Sequence, residues 1–457
     1  MTRLPDTPGP AGRRHSETTA RRLRLCFIAD VNSVHSRRFI RYFPERGHEV
    51  LVLSTTGFAG DSFAGARVVN LGGPVSRLRR APLRGWRSTR DAMRSLGIRI
   101  NREGPGAFLW ECTRRLRESG PRSESRELPD ASIRTALEHA LEDRLGVYEA
   151  QREQARKLVR AFRPDILQCL RLPVEGFIGA YADYRPTAHF CWGNDLTLYA
   201  REYAAYGELT RAALAGCAAF LTDCRRDERL ALDWGLRAPV PTLVVPGAGG
   251  IDTRVDGGVP AAGGDAPPDV AAGAEVSFLT LRGLGGRYVD NVPVIQAIPH
   301  LRRLIGDRFK LRMAGAPNAA YDLLLHRAAQ AVDGLGFIEL LERVPHERVP
   351  ELIARHRLIF SATYHDGTPN SMLETMWYGG IPICSDLESI REWIVDGENG
   401  YLFDMRSPEN IAAVFARAVN ERARHDEFRR RNRALIIERA DYETCMARVM
   451  ELYEGLA

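Results

Sequence analysis

His365-Asp366-Gly367-Thr368-Pro369-Asn370-Ser371-Met372-Leu373-Glu374-Thr375-Met376-Trp377-Tyr378-Gly379-Gly380 is the stretch from which the rest of the chain is read. It follows the apolar run Leu358 to Ala362 and precedes another, Ile381 to Cys384. The pattern is strand, loop, short helix, strand. Thr368 is a good N-cap, and Pro369 then fits the first helical position, where a missing N–H costs little. The N–H groups of Asn370, Ser371 and Met372 are expected without intrahelical partners, at a helix end carrying partial positive charge. Such a start after a strand is a site for an anion, a phosphate above all. Met372, Leu373, Met376 and Trp377 form one apolar face, while Asn370, Glu374 and Tyr378 recur four apart on another. Glu374 lies one turn from the anion site without occupying it. There it is placed to accept hydrogen bonds from a ligand's hydroxyl groups.

Asp366 and Glu374 are separated by seven residues, with Gly367-Thr368-Pro369-Asn370 between them. Downstream come Pro382 to Asp386, Ile390-Arg391-Glu392-Trp393-Ile394 and Asp396-Gly397-Glu398-Asn399-Gly400-Tyr401-Leu402. This series resembles the donor-binding signature of the retaining GT-B glycosyltransferases of family four. Those families place Glu where this chain has Asp366, one methylene shorter. The resemblance implies an α/β fold of GT-B type, two Rossmann-like domains whose parallel sheets face across a cleft. It also implies an enzyme that moves a sugar from a nucleotide-diphosphate sugar to an acceptor with retention of configuration. The donor would be held by Gly367, Thr368, Pro369, Asn370, Ser371, Met372 and Glu374.

At 457 residues the chain has room for two to three domains. No apolar run approaches the ~20 residues of a membrane-spanning helix. The first 22 residues read as a disordered tail without the apolar segment of a signal peptide. None of the eight cysteines forms a C-x-x-C pair. They read as reduced thiols, which points to the cytoplasm, and their spacing offers no metal site. The formal charge is +6, carried almost wholly by arginine, since only Lys157 and Lys310 are lysines. That bias reads as coding preference and not as a nucleic-acid footprint. It also lets an arginine stand where relatives use lysine, although its planar fork meets a phosphate differently.

Arg22 to Asp30 reads as the first buried strand, Val31 to Ser36 as a loop, Arg37 to Arg46 as a helix and His48 to Ser54 as the second strand. This βαβ unit predicts a parallel sheet with ligands beyond its carboxyl ends, where His35 falls. The loop lacks G-x-G-x-x-G. It resembles the His-x-Arg-Arg entry of some family-four transferases, matched by His35, Arg37 and Arg38, which implies acceptor-side roles for His35 and Arg38. An arginine-rich insertion at about 75–130 reads as solvated helix; the rival reading is a basic surface meeting anionic lipid on the cytoplasmic face. Residues 131–162 carry a helical period, and Pro164 to Leu170, Thr187 to Cys191, Ala218 to Thr222 and Thr242 to Pro246 read as strand segments. At Trp192-Gly193-Asn194-Asp195 many family members have His-Gly. The resemblance to a Trp-Gly-x-Asp branch makes Asn194 and Asp195 candidate acceptor or sugar contacts, with His189 structural. The N-terminal domain is therefore 23–255, followed by a Gly/Ala/Pro linker at 256–274.

The second domain, 275–440, opens with strand Glu275 to Thr280 and continues through strands at 309–315 and 335–339. Residues 337–346 match the family's nucleobase position. Arg282 and Arg287 keep the spacing of an Arg and a Lys that hold the donor diphosphate in the family. The resemblance thus makes Asp366, Glu374 and Arg282 the catalytic set, with no metal and no cofactor beyond the sugar nucleotide. The acceptor is a saccharide, lipid-linked sugar or small molecule. Residues 441–457 form a last helix expected to return to the first domain. Two other classes share these features: a GT-B-shaped sugar-nucleotide epimerase and a non-catalytic sugar-nucleotide-binding protein.

Overall fold

The computed structural model describes residues 21–71, 148, 151–202, 204–255, 275–283, 288–314, 319–341 and 344–457. The tail as far as residue 20, the arginine-rich insertion, the linker at 256–274 and Arg287 lie outside the described residues. The first sheet comprises β1 (Arg24–Ala29), β2 (Glu49–Ser54), β3 (Ser62–Phe63), β4 (Ala66–Asn70), β5 (Ile166–Leu170), β6 (Thr187–Cys191), β7 (Ala219–Thr222) and β8 (Thr242–Val244). Its order is β3-β4-β2-β1-β5-β6-β7-β8, parallel except for the β3–β4 pair. That hairpin was not expected; it turns at Ala64 and Gly65, both at positive φ (48° and 88°). The second sheet comprises β9 (Val276–Thr280), β10 (Phe309–Ala314), β11 (Ile338–Leu341), β12 (Leu358–Ser361), β13 (Ile381–Ser385) and β14 (Tyr401–Phe403). Its order is β11-β10-β9-β12-β13-β14, all parallel.

Both orders reverse direction once, between β1 and β5 and between β9 and β12. At such a reversal neighbouring connections leave on opposite faces of the sheet. The gap between them beyond the strand ends is where ligands sit. The central strands are buried along their length, as in β1 and β13, which is why they read as apolar runs without alternation.

Four helices matter for the site: α1 (Val34–Arg41), α2 (Arg225–Asp233), α3 (Asn370–Trp377) and α4 (Tyr442–Leu456). α1 begins and ends earlier than its sequence suggests. Pro44 cannot continue a helix and opens a separate 3-10 turn, Pro44–Arg46, so His35 and Ser36 belong to the first turn of α1. At 335–339 the expected strand starts later: Leu335–Phe337 is a 3-10 turn and the strand begins at Ile338. α4 lays Tyr442, Cys445, Met446, Val449 and Tyr453 into the first domain's core among Phe27, Phe39 and Phe43. Each large side chain so buried contributes about 1.5–3 kcal/mol. Tyr453 stacks on Phe43 at 5.4 Å, and its hydroxyl donates to Gln168 Oε1 at 2.6 Å.

Candidate active site in the interdomain cleft

The two reversal points face each other, and between them lies a cavity of about 560 Å³ lined by both domains. That is the size range of small-ligand sites.

On the second-domain wall, Arg282 follows β9, and Asp366 to Asn370 follow β12. Arg282 Nη2 donates to Asp366 Oδ2 at 2.5 Å, while its Nε is buried with no partner. The helix start differs from its expectation by one residue. Pro369, in extended conformation (φ −70°, ψ 132°), is the N-cap of α3, and its carbonyl accepts from Met372 N at 3.0 Å. Met372 N–H is thus engaged, leaving the N–H groups of Asn370 and Ser371 without a partner among the described residues. Thr368 ties the domains together instead of capping: its hydroxyl donates to Asp223 O and accepts from Trp393 Nε1 at 3.1 Å. Met372, Leu373, Met376 and Trp377 are all buried, holding α3 on its sheet.

Glu374 is 7% exposed. Its Oε1 faces His346 Nε2 at 2.8 Å and Arg38 Nη2 at 3.4 Å, and among the described residues Oε2 has no hydrogen-bond partner. The hydrogen bond that His346 donates to Glu374 raises the His346 pKa above its ordinary value. Arg38 Nη1 also donates to Gly250 O (3.0 Å) and Asn370 Oδ1 (3.3 Å). Because a guanidinium only donates, the Asn370 oxygen faces Arg38 and its amide nitrogen faces His35 Nδ1, 2.6 Å away. His35 Nδ1 is then the acceptor and the ring proton is on Nε2. Burial first, then Arg38 and Arg282, press the His35 pKa down to about 4, so the ring is neutral at physiological pH. His35 also meets the Trp192 ring edge-on at 5.7 Å.

On the first-domain wall, Asn194 lines the cavity and Asp195 does not. Asp195 is held beneath the loop: Oδ1 accepts from Arg171 Nη2 at 2.9 Å, and Oδ2 from the N–H groups of Leu172 and Trp192, both at 3.0 Å. A carboxylate with this many donors positions its loop, while Arg171 and Asn194 line the cavity. Arg171 and Glu175, both lining the cavity, were not singled out from sequence. The available signal was charge immediately beyond β5. Glu175 Oε1 accepts from Thr55 Oγ1 at 2.7 Å, and burial pushes its carboxyl up to about 7.

The domains meet at backbone distance. A Cβ on Gly193 would stand 1.8 Å from Gly367 N, and one on Gly367 would stand 2.1 Å from Asp223 Oδ1. Arg226 bridges the seam: Nη2 donates to Gly193 O (2.7 Å), and Nη1 to Asp366 O (2.6 Å) and Ser389 Oγ (3.1 Å). Glu392 of the second domain accepts from Arg225 N and Arg226 N at 2.9 and 3.0 Å, capping α2 from across the cleft. Asp223, Cys224 and Asp227 bring buried ligand-type atoms within 4.8 Å of one another. Arg226 Nε donates to Asp227 at 2.8 Å, so a guanidinium is already set against this cluster. Burial, above all, raises both carboxyls; the charge of Asp227 adds to it at Asp223, and that of Asp195 at Asp227.

Residues 290–435 match the family model described as Glycosyl transferases group 1. The matched span includes Asp366 and all of α3, and Arg282 lies just before it. Sucrose-phosphate synthase from Thermosynechococcus elongatus superposes with a TM-score of 0.65 at 12% identity, over 95% of this chain and 99% of that one. HepE of Anabaena, solved in complex with UDP and glucose, superposes at 0.63 and 12% identity over 95% and 100%. A glycosyltransferase from Rickettsia africae does so at 0.59 and 10% identity over 95% and 98%. No curated protein matches in sequence. The two-sheet frame is of the GT-B type, and within it residues 290–435 match a glycosyltransferase domain.

Proposed function

We propose that the protein transfers a sugar from a nucleoside-diphosphate sugar to an acceptor hydroxyl with retention and without a metal. One observation carries the reading. Arg282 and the start of α3 line a single cavity at the reversal point of the second sheet, within or beside a group 1 glycosyltransferase domain. The bond from the anomeric carbon to the β-phosphate oxygen breaks, and both its electrons leave with the nucleoside diphosphate. The acceptor oxygen bonds to that carbon on the same face, and its proton passes to the departing phosphate. Negative charge grows on the diphosphate, where Arg282 and the N–H groups of Asn370 and Ser371 are fixed in advance. A preorganised donor of this kind contributes about 3–4 kcal/mol to lowering the barrier. Glu374 Oε2 accepts from donor hydroxyls, and Asp366 orients Arg282.

The described cysteines are all free and buried, which supports a reducing, cytoplasmic setting. No helix among the described residues is long and apolar enough to cross a membrane. The test is a thermal-shift panel of UDP, GDP and ADP, followed by transfer assays with the matching sugar nucleotides. One nucleotide is expected to raise the melting temperature, since a ligand at a hundred times its Kd stabilises by about 2.7 kcal/mol. Glu374→Ala is expected to lower transfer about a hundredfold with the circular dichroism unchanged. No shift with any nucleotide, or full turnover in Glu374→Ala, rules the reading out. An epimerised free sugar formed without acceptor assigns the epimerase instead.

A further inference from the structure

Beyond the donor contacts, the cavity has a second polar end, at the reversal point of the first sheet. Glu175 follows β5, Asp30 follows β1, and Gln151 lies among the helical residues 151–162. Gln151 is 6% exposed, and its orientation is fixed: Nε2 donates to two carbonyls, Thr55 O at 3.2 Å and Leu71 O at 2.9 Å. Its Oε1 is therefore turned away from them and is buried with no partner among the described residues. Glu175, 5% exposed, has its one side-chain donor, Thr55, on Oε1. Thr55 thus locks both acceptors, through its carbonyl and its hydroxyl. A buried acceptor without a donor costs about 1–3 kcal/mol, so an unfilled one on a cavity wall points to a ligand that brings the donor.

Among the described residues, the charges at this end do not favour an anionic ligand. Among the described residues of the first domain that line the cavity, Arg171 is the one fixed cation, and it is bound to Asp195 and Asn194. His35 is neutral there. Three carboxyl groups of the first domain line the cavity instead, Asp30 and Glu175 at this end and Asp223 at the seam.

We propose that Glu175, Gln151 and Asp30 form the acceptor subsite, which binds the hydroxyl groups of an uncharged, polyhydroxylated molecule and disfavours a phosphorylated one. This rests on the glycosyltransferase reading above. Glu175 and Gln151 take hydrogen bonds from two acceptor hydroxyls, and Thr55 holds both at fixed spacing.

The experiment measures nucleoside diphosphate release by the full chain, using the sugar nucleotide whose nucleotide stabilises it. Methyl glucoside, methyl galactoside and methyl mannoside are compared with glucose 6-phosphate as acceptor probes. At least one neutral glycoside is expected to stimulate release, and glucose 6-phosphate is not. Glu175→Gln is expected to raise the acceptor KM ten- to a hundredfold, as for loss of one charge-assisted hydrogen bond. The nucleotide-induced thermal shift stays that of wild type. Gln151→Leu, which removes an acceptor without adding charge, moves the acceptor KM in the same direction and serves where Glu175→Gln does not fold. Three results overturn the proposal: stimulation by glucose 6-phosphate above the neutral glycosides, an unaltered acceptor KM in a folded Glu175→Gln, or no stimulation by any neutral glycoside. Each leaves donor binding standing. Failure of every nucleotide to stabilise the protein strikes instead at the glycosyltransferase reading itself.

Discussion

Arg226→Met removes the guanidinium that spans the seam and leaves a side chain of similar length. Four hydrogen bonds go, to Gly193 O, Asp366 O, Ser389 Oγ and Asp227 Oδ1. The largest cost falls on Asp227, whose side chain is fully buried and loses its counter-ion. Breaking a buried pair by deleting one partner costs about 3–5 kcal/mol. That cost depends on pH, and its sign follows from proton counting. Burial pushes Asp227 up to about 6 from 3.8 even with Arg226 pulling it down. Its folded state thus holds its proton more tightly than the unfolded chain, so stability falls as pH rises from 3.8 through the folded pKa. Without Arg226 the folded pKa climbs further, and stability goes on falling past pH 6. The difference between wild type and variant therefore widens from pH 5 to pH 8. Urea unfolding at the two pH values measures it, and Asp227→Asn in the same chain is expected to restore most of the loss. A destabilisation below about 1 kcal/mol at pH 8, or one equal at both pH values, refutes the reasoning.

Three further outcomes are expected. Gly367→Ala forces a Cβ to within 2.1 Å of Asp223 Oδ1, an overlap costing about 1–3 kcal/mol that is relieved by parting the domains. Solution scattering should show a larger radius of gyration, and transfer should fall 5- to 150-fold. In Glu374→Gln the His346 titration, followed by NMR, should move down toward its ordinary value, because the raised pKa depends first on that hydrogen bond. The stabilisation it gives is present at pH below 6.5, is lost as pH rises through the raised value in wild type, and should be absent in the variant. Tyr453→Phe leaves the buried Gln168 Oε1 without its donor and should cost about 1–3 kcal/mol in chemical denaturation.

The parallel sheets were legible because strands covered on both faces must be apolar throughout, as at Leu25 to Ala29 and Ile381 to Cys384. The opening of α3 was legible to within one residue. Thr368 is a fair cap by local chemistry, but its hydroxyl is taken by Asp223 from 145 positions away, a partner no local rule supplies. The same limit hides the work of Asp195. An exposed-looking acid in a Trp-Gly-Asn-Asp turn is in fact clamped by Arg171 and two backbone N–H groups. Glu175 escaped because a single acid after Leu-Pro-Val has no pattern of its own. It becomes prominent only when β1 and β5 are known to be neighbours. β3 and β4 were too short to show a period.

α4 follows the second domain in the chain yet sits among Phe27, Phe39 and Phe43 of the first. The amino-terminal lobe therefore cannot finish its interior on the ribosome until the carboxy-terminal lobe has been synthesised and the segment beyond Asp441 has emerged. Cutting the chain after Ala440 would damage the first domain and not the second that adjoins the cut, and proteolysis of such a truncated chain should begin there.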